Sequence, residues 1–150
     1  MKSVPLSSFL LSLAATLISG ASCAAEFKSV GAYPAILYAA PSGRAPKRFI
    51  APSGMPLEVV LNAGGWSRVR DAAGDLTWVD ARALVGKRTV VTRSTGIRIH
   101  AAAEDNAAIV FGAERGVLLD MLEGAPSGWV KVRHRDGASG FARAADVWGD

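Results

Sequence analysis

From Trp66 to Arg70 the chain alternates strictly. Trp66, Arg68 and Arg70 fall on one side, Ser67 and Val69 on the other. That period of two belongs to a half-buried β-strand, because successive side chains of extended backbone point to opposite faces. Turn chemistry brackets the segment. Asn62-Ala63-Gly64-Gly65 precedes it, and Asp71-Ala72-Ala73-Gly74-Asp75 follows, with Gly74 free to take a positive φ in a hairpin loop. Pro56 to Leu61 is apolar apart from Glu58 and reads as the preceding strand, and Leu76 to Val79 as the following one.

The pattern occurs twice. Gly65-Trp66-Ser67-Arg68-Val69-Arg70 returns as Gly128-Trp129-Val130-Lys131-Val132-Arg133, and the same offset aligns Gly74 with Gly137, Trp78 with Phe141, and Gly86 with Gly149. Upstream the offset is one residue shorter. Ile36-Leu37-Tyr38 there answers Arg98-Ile99-His100, and Gly54-Met55-Pro56-Leu57 answers Gly116-Val117-Leu118-Leu119. A repeat of this length marks two copies of one folding unit. The core of each copy spans roughly 30–86 and 93–150; as domains they take 26–86 and 87–150. In the second copy the predicted strands are Val117–Leu122, Trp129–Arg133 and Ser139–Ala142. Each copy is expected to carry a long irregular loop after its first strand, Ala39–Gly54 and Ala101–Gly116. Pro41, Pro46 and Pro52 forbid a helix in the first, and the second is read the same way despite its alanines. Ala81–Leu84 and Ala144–Val147 read as closing one-turn segments. Lys87-Arg88-Thr89-Val90-Val91-Thr92 joins the units without Gly, Pro or Ser and reads as a strand or taut connection, which predicts a fixed pair.

The first 25 residues follow a different logic. Met1-Lys2 is a short positive start, Val4 to Gly20 carries no charge, and Gly20-Ala21-Ser22-Cys23-Ala24-Ala25 is a run of small residues. This order predicts a cleaved secretory signal peptide over 1–25, and a periplasmic or secreted product with no stable membrane insertion. Lipidation of Cys23 is disfavoured, because Gly20 stands where a lipobox places a bulky aliphatic residue. Cleavage removes the single Cys, so the mature chain has no thiol.

Composition narrows the chemistry. With one Cys and two His, a disulfide framework and a multi-Cys or His-rich metal site are excluded. The net charge of +4 comes from Lys and Arg spread along the chain, which argues against nucleic-acid binding. No cofactor or metal is expected. The bases available for catalysis are His100 and His134, no Gly-x-Ser-x-Gly elbow occurs, and Asp71 and Asp75 read as turn residues. The chain is therefore expected not to be an enzyme.

Strand, long loop, Gly-x-x-[VL]-x-[VM], turn, Gly-Trp-x-[KR]-Val-Arg, hairpin and a closing turn together resemble the bacterial SH3 domain. The segments Gly86-Lys87-Arg88-Thr89-Val90-Val91 and Asp146-Val147-Trp148-Gly149 look like the tandem version in small exported proteobacterial proteins. The resemblance implies an all-β fold of two tandem five-stranded, half-open SH3-like barrels used as binding modules, often at the cell wall. It places Trp66 and Trp129 on the peptide groove, with Trp78 and Phe141 on the next strand and Tyr38 on the first. A strip of flat rings suits extended peptides or sugar–peptide polymers. The Pro and Tyr that complete a eukaryotic groove are absent, since the final turns read Asp80-Ala81-Arg82-Ala83-Leu84 and Arg143-Ala144-Ala145-Asp146-Val147.

The first long loop is basic, with Arg44, Lys47 and Arg48, whereas the second carries Glu104, Asp105 and Glu114 against Arg115. Together with Lys87 and Arg88, the basic loop is expected to meet an anionic partner. The expected partner is peptidoglycan or a periplasmic protein or peptide. The rival reading is a structural or adaptor protein whose aromatics pack the barrels together, with Trp148 as a plug between them.

Overall fold

The structure is a computed structural model that describes residues 24–150. The predicted signal peptide, Cys23 included, lies outside the described residues except for Ala24 and Ala25. The first unit runs β1 (Glu26–Val30), β2 (Ala35–Tyr38), β3 (Lys47–Ala51), β4 (Pro56–Ala63), β5 (Trp66–Arg70), β6 (Leu76–Asp80), a 3-10 turn (Ala81–Ala83) and β7 (Leu84–Val85). The second repeats it with β8 (Thr89–Thr92), β9 (Ile97–His100), β10 (Ile109–Ala113), β11 (Leu118–Glu123), β12 (Trp129–Arg133), β13 (Ser139–Arg143), a 3-10 turn (Ala144–Asp146) and β14 (Val147–Trp148). The orders are β3-β2-β6-β5-β4-β1-β7 and β10-β9-β13-β12-β11-β8-β14, identical under the repeat and open at both ends. The all-β architecture of two SH3-like units is thus as the sequence implied.

Alternation decides which face is core. In β5, Ser67 and Val69 are buried and Trp66, Arg68 and Arg70 face out, as the period of two requires. One core gathers Val30, Leu37, Leu57, Val69 and Val79, the other Val90, Ile99, Leu119, Val130 and Val132. Gly64 and Gly65, at φ +56° and +82°, make the two-residue turn that sets Ala63 opposite Trp66. The 3-10 turns fall where the closing segments were expected.

Two expectations need correction. Each unit has seven strands, not five. The long loops are not irregular throughout, because β3 and β10 run within them as edge strands antiparallel to β2 and β9. β1 and β8 open the units ahead of the repeat cores and inside the bounds 26–86 and 87–150. β1 pairs with β4 and β7, and β8, which makes Lys87–Thr92 largely a strand, pairs in the same way with β11 and β14.

Only Gly86, Lys87 and Arg88 separate β7 from β8, and a dense seam holds the units together. The Thr89 hydroxyl donates to the Gly54 carbonyl at 2.7 Å, and the Ser29 hydroxyl to that of Lys87 at 2.8 Å. Phe27 of β1 meets Trp148 of β14 edge to face, with centroids 5.1 Å apart, so Trp148 sits between the units as expected. The Arg88 guanidinium lies 5.4 Å from the Phe27 ring centroid and donates to the Gly149 carbonyl at 2.7 Å. Gly149 is tightly enclosed, since a Cβ there would stand 2.7 Å from the Thr89 carbonyl oxygen and 3.0 Å from Pro56 Cβ.

Candidate functional site

Cross-strand register builds the outer face of each sheet from residues distant in sequence. In the first unit Tyr38 lies opposite Trp78, Trp78 opposite Arg68, and Trp66 opposite Asp80. Tyr38 and Trp66 meet edge to face, with centroids 5.5 Å apart and planes at 88°. All three rings are half-buried, and none belongs to the hydrophobic core. They form a shallow aromatic strip on the solvent side of β2, β6 and β5.

The second unit places the corresponding residues in the same way but surrounds them differently. His100 lies opposite Phe141, Phe141 opposite Lys131, and Trp129 opposite Arg143. The His100 ring meets Trp129 at 5.4 Å, in the place of Tyr38 on Trp66. His100 is buried, and its Nδ1–H donates to the Ala107 carbonyl at 3.1 Å, which ties the β9–β10 loop to this face. The Arg143 guanidinium lies 5.1 Å from the Trp129 centroid and is ion-paired to Asp105. Lys131 stands 5.9 Å from the Phe141 centroid and pairs with Glu123. Here the rings are covered by cations, and these cations are themselves held by acids. Sequence reasoning named Trp129 and Phe141 but not His100 or Arg143 as their partners. The alignment of His100 with Tyr38 was the available signal for the first, while Arg143 becomes visible only once the β12–β13 register is known.

The first unit treats the position of Arg143 in the opposite sense. Asp80 is there, and Arg82 donates to both its carboxylate oxygens, at 3.1 and 2.7 Å. These bonds hold the Asp80 carboxyl at about 2, below the usual range. Trp66 therefore has no cation over its ring among the described contacts.

The five predicted basic residues fall into two groups. Arg44, Lys47 and Arg48 are exposed on the β2–β3 hairpin and make no ion pair among the described residues. Arg48 shares a cleft with Phe49, Asp71 and Asp75, so acids of the β5–β6 loop stand close to the basic hairpin. Lys87 and Arg88 lie at the seam instead. Lys87 pairs with Asp120 at 2.8 Å, and Arg88 packs on Phe27. Asp120 also takes Arg133 at 3.4 Å, and the Lys87 hydrogen bond is the main reason its carboxyl lies below the usual range.

His134 reaches Asp136 at 3.1 Å within the β12–β13 turn. The Ala138 backbone N–H, and after it His134, lower the Asp136 carboxyl. No Ser or Thr hydroxyl is hydrogen-bonded to His134 among the described residues. Among the described residues no cluster of three or more His, Cys, Asp or Glu could hold a metal, and no helix is long and apolar enough to cross a membrane.

A family profile described as Bacterial SH3 domain matches twice, at residues 32–86 and 94–149. Among solved structures, NlpC1 from Trichomonas vaginalis is similar at 12% identity and a TM-score of 0.39, covering 84% of this chain and 46% of that one. NlpC2 from the same organism is similar at 11% identity and a TM-score of 0.37, covering 84% and 48%. The chain thus spans about half the length of these structures. A comparison with curated proteins returned no significant match.

Proposed function

The chain belongs to the bacterial SH3 domain family, and from that premise we propose that it is an exported, non-catalytic binding protein of the cell envelope whose partner is peptidoglycan or a periplasmic peptide. The observation that carries this reading is the open aromatic strip of the first unit. Tyr38, Trp66 and Trp78 are contiguous, half-buried and outside the core, and among the described residues no cation lies over them as cations lie over Trp129 and Phe141. Flat rings on a rigid sheet give contact area at small entropic cost, which suits an extended peptide or a sugar–peptide polymer. The basic hairpin adds attraction for an anionic polymer. Aromatic packing between units falls instead to Phe27 and Trp148, so the strip is not used for it.

The test is co-sedimentation of the protein with purified peptidoglycan sacculi at low and high salt, beside a variant carrying Arg44→Glu, Lys47→Glu and Arg48→Glu. The expected result is pelleting that weakens with salt and with charge reversal. Binding that ignores both removes the basic hairpin from the site. No pelleting at all overturns the peptidoglycan reading and moves the search to capture of a periplasmic peptide.

A further inference from the structure

The sharing of one cleft by both units has a chemistry of its own. It encloses about 530 Å³ at the seam, remote from the aromatic strip in sequence and in strand. Ser53 and Gly54 of the first unit form one wall. The second unit supplies the apolar stretch Val117-Leu118-Leu119 and the turn residues Arg133, His134 and Arg135, and Lys87 reaches in from the connection. Neither unit has this cleft alone.

Its charges are unbalanced. Asp120 is the one acid lining it, and both Lys87 and Arg133 are committed to that carboxylate. Arg135 is exposed on the same rim and makes no ion pair among the described residues. Three cations against one carboxylate leave a surplus of two positive charges, and Arg135 is the one of the three with no ion pair among the described residues; above an apolar floor, that free guanidinium selects a ligand with a carboxylate and an apolar body. A polyanion would want several free cations and no floor of Val and Leu. A carboxylate suits the planar guanidinium fork, which can grip it through two parallel hydrogen bonds. The seam fixes the walls before any ligand arrives, through the Thr89–Gly54 and Ser29–Lys87 hydrogen bonds, and that lowers the ordering cost of binding.

We propose that the cleft between the two units binds the free carboxylate end of a short apolar peptide, with Arg135 gripping the carboxylate and Leu118 supporting the side chain beside it. The proposal goes beyond envelope binding and does not depend on the aromatic strip.

The experiment titrates the full chain into N-terminally fluorescein-labelled Gly-Leu-Ala-Ala, as the free acid and as the C-terminal amide, and reads anisotropy. Saturable binding of the free acid is expected, at least tenfold weaker for the amide and at least tenfold weaker in Arg135→Glu. Arg98→Glu, at an exposed arginine on β9 with no ion pair among the described residues, controls for overall charge and should bind as the parent does. Arg135 has no ion-pair partner among the described residues to lose, so the thermal transition of Arg135→Glu should match that of the parent. No saturable binding of the free acid at millimolar protein, equal binding of acid and amide, or equal losses in Arg135→Glu and Arg98→Glu would each overturn the proposal. Sacculus pelleting could persist under any of these results, so this failure is separate from failure of the envelope reading.

Discussion

Truncating Trp66 separates a surface aromatic strip from a structural one. Trp66 is half-buried, its cross-strand neighbours Ala63 and Asp80 are small or polar, and its one ring partner among the described residues is Tyr38 at 5.5 Å. Loss of an edge-to-face pair costs about 0.5–1.5 kcal/mol beyond area burial. Half the burial of a large apolar side chain adds roughly 1 kcal/mol. Trp66→Ala should therefore cost about 2 kcal/mol, against about 3–5 kcal/mol for an aromatic in a core. Val69, three residues on and fully buried, is the internal standard. Removing its two methyl groups costs roughly 1.6 kcal/mol of transfer free energy plus a cavity term. The larger deletion at Trp66 should thus cost no more than about the smaller one at Val69. Urea unfolding gives both values, provided the slope with denaturant is unchanged. The same Trp66→Ala protein should lose most of its pelleting with sacculi, while Val69→Ala, once folded, should keep it. A Trp66→Ala cost above 4 kcal/mol, or undiminished pelleting, would refute the assignment of this ring to a binding surface.

Two further perturbations test the seam. Gly149→Val places a branched side chain where even a Cβ meets the Thr89 carbonyl oxygen at 2.7 Å, at a φ of +116°; it should destabilise the protein by about 2 kcal/mol or more and separate the units, read as a larger radius of gyration by small-angle scattering. The Asp120 carboxyl is lowered in the folded protein, so its contribution is present above the ordinary carboxylate range and is lost as pH falls through the folded value. Melting temperatures between pH 6 and pH 2 should fall less steeply in Asp120→Asn than in the parent, and identical slopes would show that the Lys87–Asp120–Arg133 cluster contributes nothing.

The alternation of β5 and its glycine turn were legible in the sequence because both signals are local. Trp66 to Arg70 carries its own period, and Gly64 and Gly65 supply the φ values that close the hairpin. The repeat made the second unit readable from the first. β3 was not legible, because Lys47-Arg48-Phe49-Ile50 is exposed at every position and so shows no alternation. An edge strand has one partner and no face that must be apolar throughout. β1 was hidden by its place directly after the signal segment, and β8 was open to two readings, strand or taut connection. Their pairing with β4 and β11 is non-local and leaves no short-range mark. The aromatics of the candidate site were named by type and repeat, but their surroundings depend on register. Nothing local says that Arg143 lies across from Trp129, or that Arg88 turns into the seam.

That register also argues that duplication here produced two different faces. The backbone plan is the same in both units, down to the order of seven strands. On it, Trp66 faces Asp80 where Trp129 faces Arg143, and Tyr38 is replaced by a His100 that is buried and tied to its loop. A ring whose face carries a guanidinium, itself held by Asp105, already has its stacking partner. A ligand stacking there must first displace the arginine and break its ion pair, a cost absent at Trp66. The first unit therefore offers its aromatic strip outward, and the second has its own strip covered from within. What the second unit contributes lies on the other side of its sheet order, at β11 and the β12–β13 turn, where Leu118 and Arg135 complete a cleft against the first unit. The seam of Thr89, Gly54, Phe27 and Trp148 keeps that cleft formed, so fixed pairing of the units is a condition of the second site and not of the first.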